Sequence, residues 1–63
     1  MAVHLRAARV NAGYTQQAAA KELNLSKNTL ASYEAYKSVP SIETAKRIAK
    51  LYDMTVNDII WSA

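Results

Sequence analysis

The sequence predicts an all-α fold of five short helices, and three features predict it. Gly13 and Pro40 are the only glycine and proline, set among 12 alanines with no phenylalanine, a composition suited to helices joined by brief turns rather than to sheet. The larger apolar residues recur three and four apart, and no strand-like alternation is evident. Small hydroxyl residues, Thr15, Ser26, Ser41 and Thr55, each precede such a stretch, where a helix N-cap belongs.

In the first element, Leu5, Ala8 and Ala12 carry the helical spacing within Ala2 to Ala12, flanked by Val3 and Val10, and Gly13 stops it as a C-terminal cap. Thr15 caps a second helix of about two turns, Gln16 to Leu23, with Ala19, Ala20 and Leu23 on one side. Asn24 tolerates the left-handed conformation of a tight turn. Ser26 opens a third helix that ends near Ala35, with Leu30 and Tyr33 on one face and Lys27, Asn28, Ala31 and Ser32 on the other. Tyr36 to Pro40 form a loop. Ser41 caps a fourth helix with an inward stripe of Ile42, Ala45, Ile48, Ala49 and Tyr52 and an outer face of Glu43, Lys46, Arg47 and Lys50. Asp53 ends it, Met54 packs back, and Thr55 caps a last short helix through Asp58 to Trp61, with Ile59 and Ile60 inward.

Composition excludes whole classes of function. With 63 residues, only one small domain fits, spanning residues 1–63, and a chain this short buries about 60% of its unfolded surface. Absence of cysteine removes disulfides and thiolate metal sites, and one histidine with five carboxylates leaves no plausible metal cluster. No cofactor and no small-molecule ligand is expected. No apolar run approaches a membrane span, and His4, Arg6 and Arg9 interrupt any signal-peptide core, so a cytoplasmic location is expected. Neither a Gly-rich phosphate loop nor a catalytic triad is present, and His4 has no nucleophile or paired acid beside it, so an enzyme is not expected. Eight Lys and Arg against five Asp and Glu give a net charge of +3, compatible with a polyanionic partner.

Two short helices around a three-residue corner meet the physical demands of a helix-turn-helix: small Ala20 where the helices touch, Asn24 at the corner, and apolar anchors at Leu25, Leu30 and Tyr33. The ordered series is similar to the Cro/CI (Xre-like) helix-turn-helix repressors of phages and bacteria. It runs through Leu5-Arg6-Ala7-Ala8-Arg9, Ala12-Gly13-Tyr14-Thr15-Gln16, Leu25-Ser26-Lys27-Asn28-Thr29-Leu30, Tyr33-Glu34, Pro40-Ser41-Ile42-Glu43-Thr44 and Val56-Asn57-Asp58-Ile59-Ile60. The resemblance covers nearly the whole chain and implies a compact five-helix lambda-repressor-like domain whose second and third helices form the motif.

It also implies roles. Lys27, Asn28 and Ser32 match positions that contact bases, and Ala31 can meet a thymine methyl. Gln16 and Gln17, at the start of the second helix, and Lys37 and Ser38, in the loop after the third, match positions near phosphates. Arg9 and Glu34 match a structural ion pair tying the first helix to the third. Met54, Val56 and Trp61 fall where such repressors form dimers. The implied protein is a double-stranded DNA-binding regulator, a repressor holding a palindromic operator as a homodimer.

Plainer alternatives stand beside these. Lys27, Asn28 and Ser32 also suit a solvated helix face, although the motif around them favours contact. Lys46, Arg47 and Lys50 read as a solvated face, Lys21 and Arg6 are unassigned, and Trp61 suits core closure as well as an interface. An antitoxin or adaptor using the same fold to hold a protein is the competing function. Tyr36 stands where the family usually carries glycine, so either the third helix runs on or the loop is reshaped.

Overall fold

The computed structural model describes residues 1–63. Four α-helices, α1 (Leu5–Asn11), α2 (Gln16–Leu23), α3 (Lys27–Glu34) and α4 (Ile42–Leu51), are closed by a parallel pair of two-residue strands, β1 (Val3–His4) and β2 (Ile59–Ile60). One 3-10 turn, Val56–Asp58, precedes β2. The expected fifth helix is therefore absent: it shrinks to that turn, and the chain from Ile59 is extended. The first helix starts at Leu5 rather than Ala2 for the matching reason, because Val3 and His4 pair with Ile59 and Ile60. Three of these four residues are β-branched and suit a pleated surface.

Helix starts follow their caps. The Thr15, Ser26 and Ser41 hydroxyls accept from the backbone N–H of Ala18, Thr29 and Thr44 at 3.1, 3.0 and 3.3 Å. Thr55 instead donates its own N–H and hydroxyl to the Asp58 carboxylate at 3.0 and 2.9 Å. Those bonds, the backbone one first, hold the Asp58 pKa below the ordinary carboxylate value.

All four helices end alike. A residue at positive φ follows each one, Gly13 at 86°, Asn24 at 57°, Tyr36 at 60° and Asp53 at 58°, and the next N–H reaches back five residues: Tyr14 to the Arg9 carbonyl, Leu25 to Ala20, Lys37 to Ser32, Met54 to Ala49. These are Schellman endings. The third helix neither runs on nor rearranges its loop at Tyr36; the tyrosine itself takes the left-handed conformation, at a cost of roughly 1–2 kcal/mol for a residue with a Cβ.

Leu5, Leu30 and Ile48 are fully buried at the centre, one each from α1, α3 and α4, and α2 adds Ala19, Ala20 and Leu23. The fourth-helix stripe of Ala45, Ile48, Ala49 and Tyr52 faces in as its spacing implied. Ile42 does not: it is 64% exposed, since the first turn of α4 projects past the core. Ile59 is buried and Ile60 half-buried, as strand alternation requires rather than helix.

The rings of Tyr52, 4% exposed, and half-buried Tyr14 lie 6.0 Å apart. The Tyr52 hydroxyl is buried with no hydrogen-bond partner. Burial first, and then the nearby Glu34 charge, push its pKa from 10.0 up to about 12. The unfolded phenol ionises first, so the contribution of Tyr52 to stability is intact below pH 10 and is lost as pH rises towards 12. Replacing Tyr52 by Phe removes the orphaned hydroxyl, whose desolvation costs about 1–3 kcal/mol. Urea unfolding of Tyr52→Phe is expected to show stability at least equal to the parent at pH 7 and a widening advantage between pH 10 and 12. Greater loss of stability with pH in the variant than in the parent contradicts this account.

Candidate nucleic-acid interface

Three residues, Asn24, Leu25 and Ser26, separate α2 from α3. Positive φ at Asn24 turns the chain, half-buried Leu25 anchors the corner in the core, and the Ser26 cap starts α3 at once. Leu30 is fully buried and Tyr33 half-buried against the core, so the opposite face of α3 points outward. On it Lys27 and Asn28 are exposed while Ala31 and Ser32 are half-exposed one turn later. These four residues thus share a face with its long polar side chains at the helix start.

Lys27 also borders a shallow concavity shared with the start of α2 and with α1. Thr15, Gln16 and Gln17 line it from α2, Arg6, Arg9 and Val10 from α1, and Gly13 and Tyr14 from the turn between. No carboxylate lines it. Neither α2 nor α3 has an acidic residue in its first turn, whereas α4 has Glu43 and the final 3-10 turn has Asp58. Both helix starts therefore present free N–H groups and the positive end of the helix dipole, with no side-chain anion competing for them.

Arg9 and Glu34 shape this wall. Arg9 Nε donates to Glu34 Oε2 at 2.8 Å and Nη2 to Oε1 at 3.3 Å, while Nη1 donates to the Tyr14 carbonyl at 2.8 Å. The side chains are 10% and 5% exposed. Gln16 Nε2 also donates to Glu34 Oε1, at 3.2 Å. One N–H of Gln16 is thus spent inside the protein, and its second N–H and its carbonyl oxygen remain for an outside partner.

Lys37 and Ser38 lie apart from the concavity, exposed in the loop beyond α3. Met54, Val56 and Trp61 are half-buried and pack on the core, and Trp61 Nε1 donates to the Val56 carbonyl at 2.9 Å. The indole therefore closes over the turn at Val56 while part of it stays exposed.

Three features escape the sequence. Arg6 joins Gln16, Gln17 and Lys27 in the concavity, and its exposed place in the first turn of α1 is the only signal for it. Arg47 reads as part of a solvated face, yet its Nη2 donates at 2.8 Å to the Leu23 carbonyl at the end of α2; nothing in its spacing marks that reach. His4 Nδ1 and the Tyr36 hydroxyl are hydrogen-bonded, joining residues 32 apart in the chain.

Residues 5–59 match a family model described as helix-turn-helix. The chain is 36% identical over 56 residues to the HTH-type transcriptional regulator ImmR of Bacillus subtilis (strain 168). That alignment covers 89% of this chain and 44% of the relative, so the chain spans less than half the relative's length. No solved structure matches it significantly.

Burial of Arg9 and Glu34 makes each dependent on the other. Removing one partner of such a pair costs about 3–5 kcal/mol, against a total stability of about 3–9 kcal/mol for a domain of this size. Arg9→Met and Glu34→Gln are each expected to unfold at markedly lower urea concentration than the parent, and the double variant to lose less than the sum. Single variants no less stable than Glu22→Gln, a change at an exposed site, would contradict a stabilising pair.

Proposed function

The chain belongs to the helix-turn-helix family, and from that premise we propose that it is a sequence-specific double-stranded DNA-binding transcriptional regulator, a repressor that occupies a palindromic operator as a homodimer in the cytoplasm. One observation carries this reading: an acid-free concavity holding Arg6, Gln16, Gln17 and Lys27 adjoins the exposed start of α3. A duplex offers the matching chemistry, a phosphate ridge beside a groove of base edges.

In this reading α3 lies in the major groove. Lys27 donates to guanine O6 and N7, Asn28 pairs with adenine, Ser32 takes a hydrogen bond one turn further in, and Ala31 packs on a thymine methyl. Gln16 and Gln17 hold a backbone phosphate on one side of the groove, and Lys37 and Ser38 hold one on the other. Arg6 adds charge to the first of these. Action is stoichiometric: the bound domain excludes other proteins from the operator, and no bond is made or broken.

One recognition helix reads few base pairs, so two copies on a two-fold axis supply the missing discrimination, with half-sites about 34–36 Å apart. Met54, Val56 and the exposed part of Trp61 form the contact. The use of the name transcriptional regulator for the relative is consistent with this role. An antitoxin or adaptor that holds a protein through the same fold is the competing reading, and no feature of the surface favours it over DNA.

Selection of bound sequences from a random duplex pool is expected to return a palindrome. Binding to that palindrome should weaken with salt at a slope near −0.9 per phosphate contacted. Lys27→Ala and Asn28→Ala should each cost about 1–3 kcal/mol and relax the preference at one or two base pairs, whereas Gln17→Ala should weaken all sequences alike. Salt-independent binding would refute the DNA reading, and Lys27 and Gln17 variants that behave identically across mutated sites would refute the division of roles. Val56→Glu should abolish cooperative filling of the palindrome while weak half-site binding survives; sedimentation showing one protein per palindrome at saturation would refute the dimer.

A further inference from the structure

Tyr36 is the bulkiest of the four residues at positive φ, and the other three are Gly, Asn and Asp, types that accept that conformation readily. Glycine would close the same Schellman ending without strain. The left-handed backbone does not call for tyrosine, so what the residue adds here is its side chain. Its hydroxyl is hydrogen-bonded to His4 Nδ1, and its ring lies 5.7 Å from the imidazole at a tilt of 52°. His4 is a fixed point, because β1 pairs it with Ile60. The strained residue runs straight into Lys37 and Ser38, both exposed and free of side-chain bonds within the protein.

We propose that Tyr36 is a positioning residue for DNA binding: anchored on His4, it holds the loop after α3 so that Lys37 and Ser38 are already placed for the phosphate backbone when the duplex arrives. The inference rests on the DNA reading above. An unanchored loop must be ordered during binding and loses affinity by that amount; the anchor moves the ordering into the folding of the free protein. Backbone strain beside a contact segment is the expected signature of such preorganisation.

Tyr36→Gly separates positioning from mere structure, because it relieves strain and deletes the anchor at once. Tyr36→Phe and His4→Ala delete the hydrogen bond, the first with the ring kept. The selected palindromic duplex serves as probe at one salt concentration, alongside thermal melts and hydrogen exchange at the Lys37 amide, which donates to the Ser32 carbonyl at 2.9 Å. Tyr36→Gly is expected to melt no lower than the parent yet bind about 3- to 10-fold more weakly. All three variants should exchange the Lys37 amide faster than the parent. Duplex affinity unchanged in Tyr36→Gly, or lost only in step with melting temperature, overturns the proposal. A parent that binds the duplex with variants that match it overturns this inference alone, whereas a parent that binds no duplex overturns the DNA reading and this inference together.

Discussion

A guanidinium taken out of water must find a partner for nearly every N–H it carries, and in this domain that demand organises the helices. Arg9 reaches Glu34 on α3 with two nitrogens and the Tyr14 carbonyl before α2 with the third. Three segments around the concavity, α1, the turn before α2, and α3, are thus tied to one planar group. Dispersion among Leu5, Leu30 and Ile48 supplies cohesion without direction; the guanidinium supplies direction. Glu34 is paired by the same contact, so its carboxylate is held inward, 5% exposed, and no carboxylate lines the concavity.

Much of this was legible because it is local. A hydroxyl residue ahead of an apolar repeat announces a helix start within four residues, and Thr15, Ser26 and Ser41 all behave so. Asn24 at the corner and Gly13 and Asp53 at helix ends are equally local. The failures lie where distant residues decide. Val3 and Ile59 carry no periodic pattern over two residues, and only their meeting makes either a strand. The Ile59-Ile60 pair suits a helix as well as a strand on its own, so local pattern predicts a helix where pairing makes a strand. Ile42 has the right spacing for the inward stripe and lies outside it, because spacing defines a face but not where the neighbouring helix stops.

The candidate site divides in the same way. Lys27, Asn28, Ala31 and Ser32 share a face by helix geometry alone, and that was open to sequence. Which groups gather around the α2 start depends on how α1 crosses it, so Arg6 is visible only in three dimensions. The Arg9 to Glu34 contact came from family likeness, since no rule of spacing joins residues 25 apart. Gln16 shows the limit of likeness: it stands where expected, but half of its amide donor capacity belongs to Glu34.

The two-residue strand pair has a consequence for how the molecule comes into being. Pairing Val3 with Ile59 joins positions that enclose every helix, so its closure carries the largest loop entropy in the molecule. The helices and their Schellman endings need only near neighbours and can form while a ribosome is still adding residues. Val3 and His4 cannot leave their unpaired state until Ile59 and Ile60 have cleared the exit tunnel. Sealing of the fold over Leu5 is thereby the last step open to a growing chain, because it waits on residues more than 50 positions downstream.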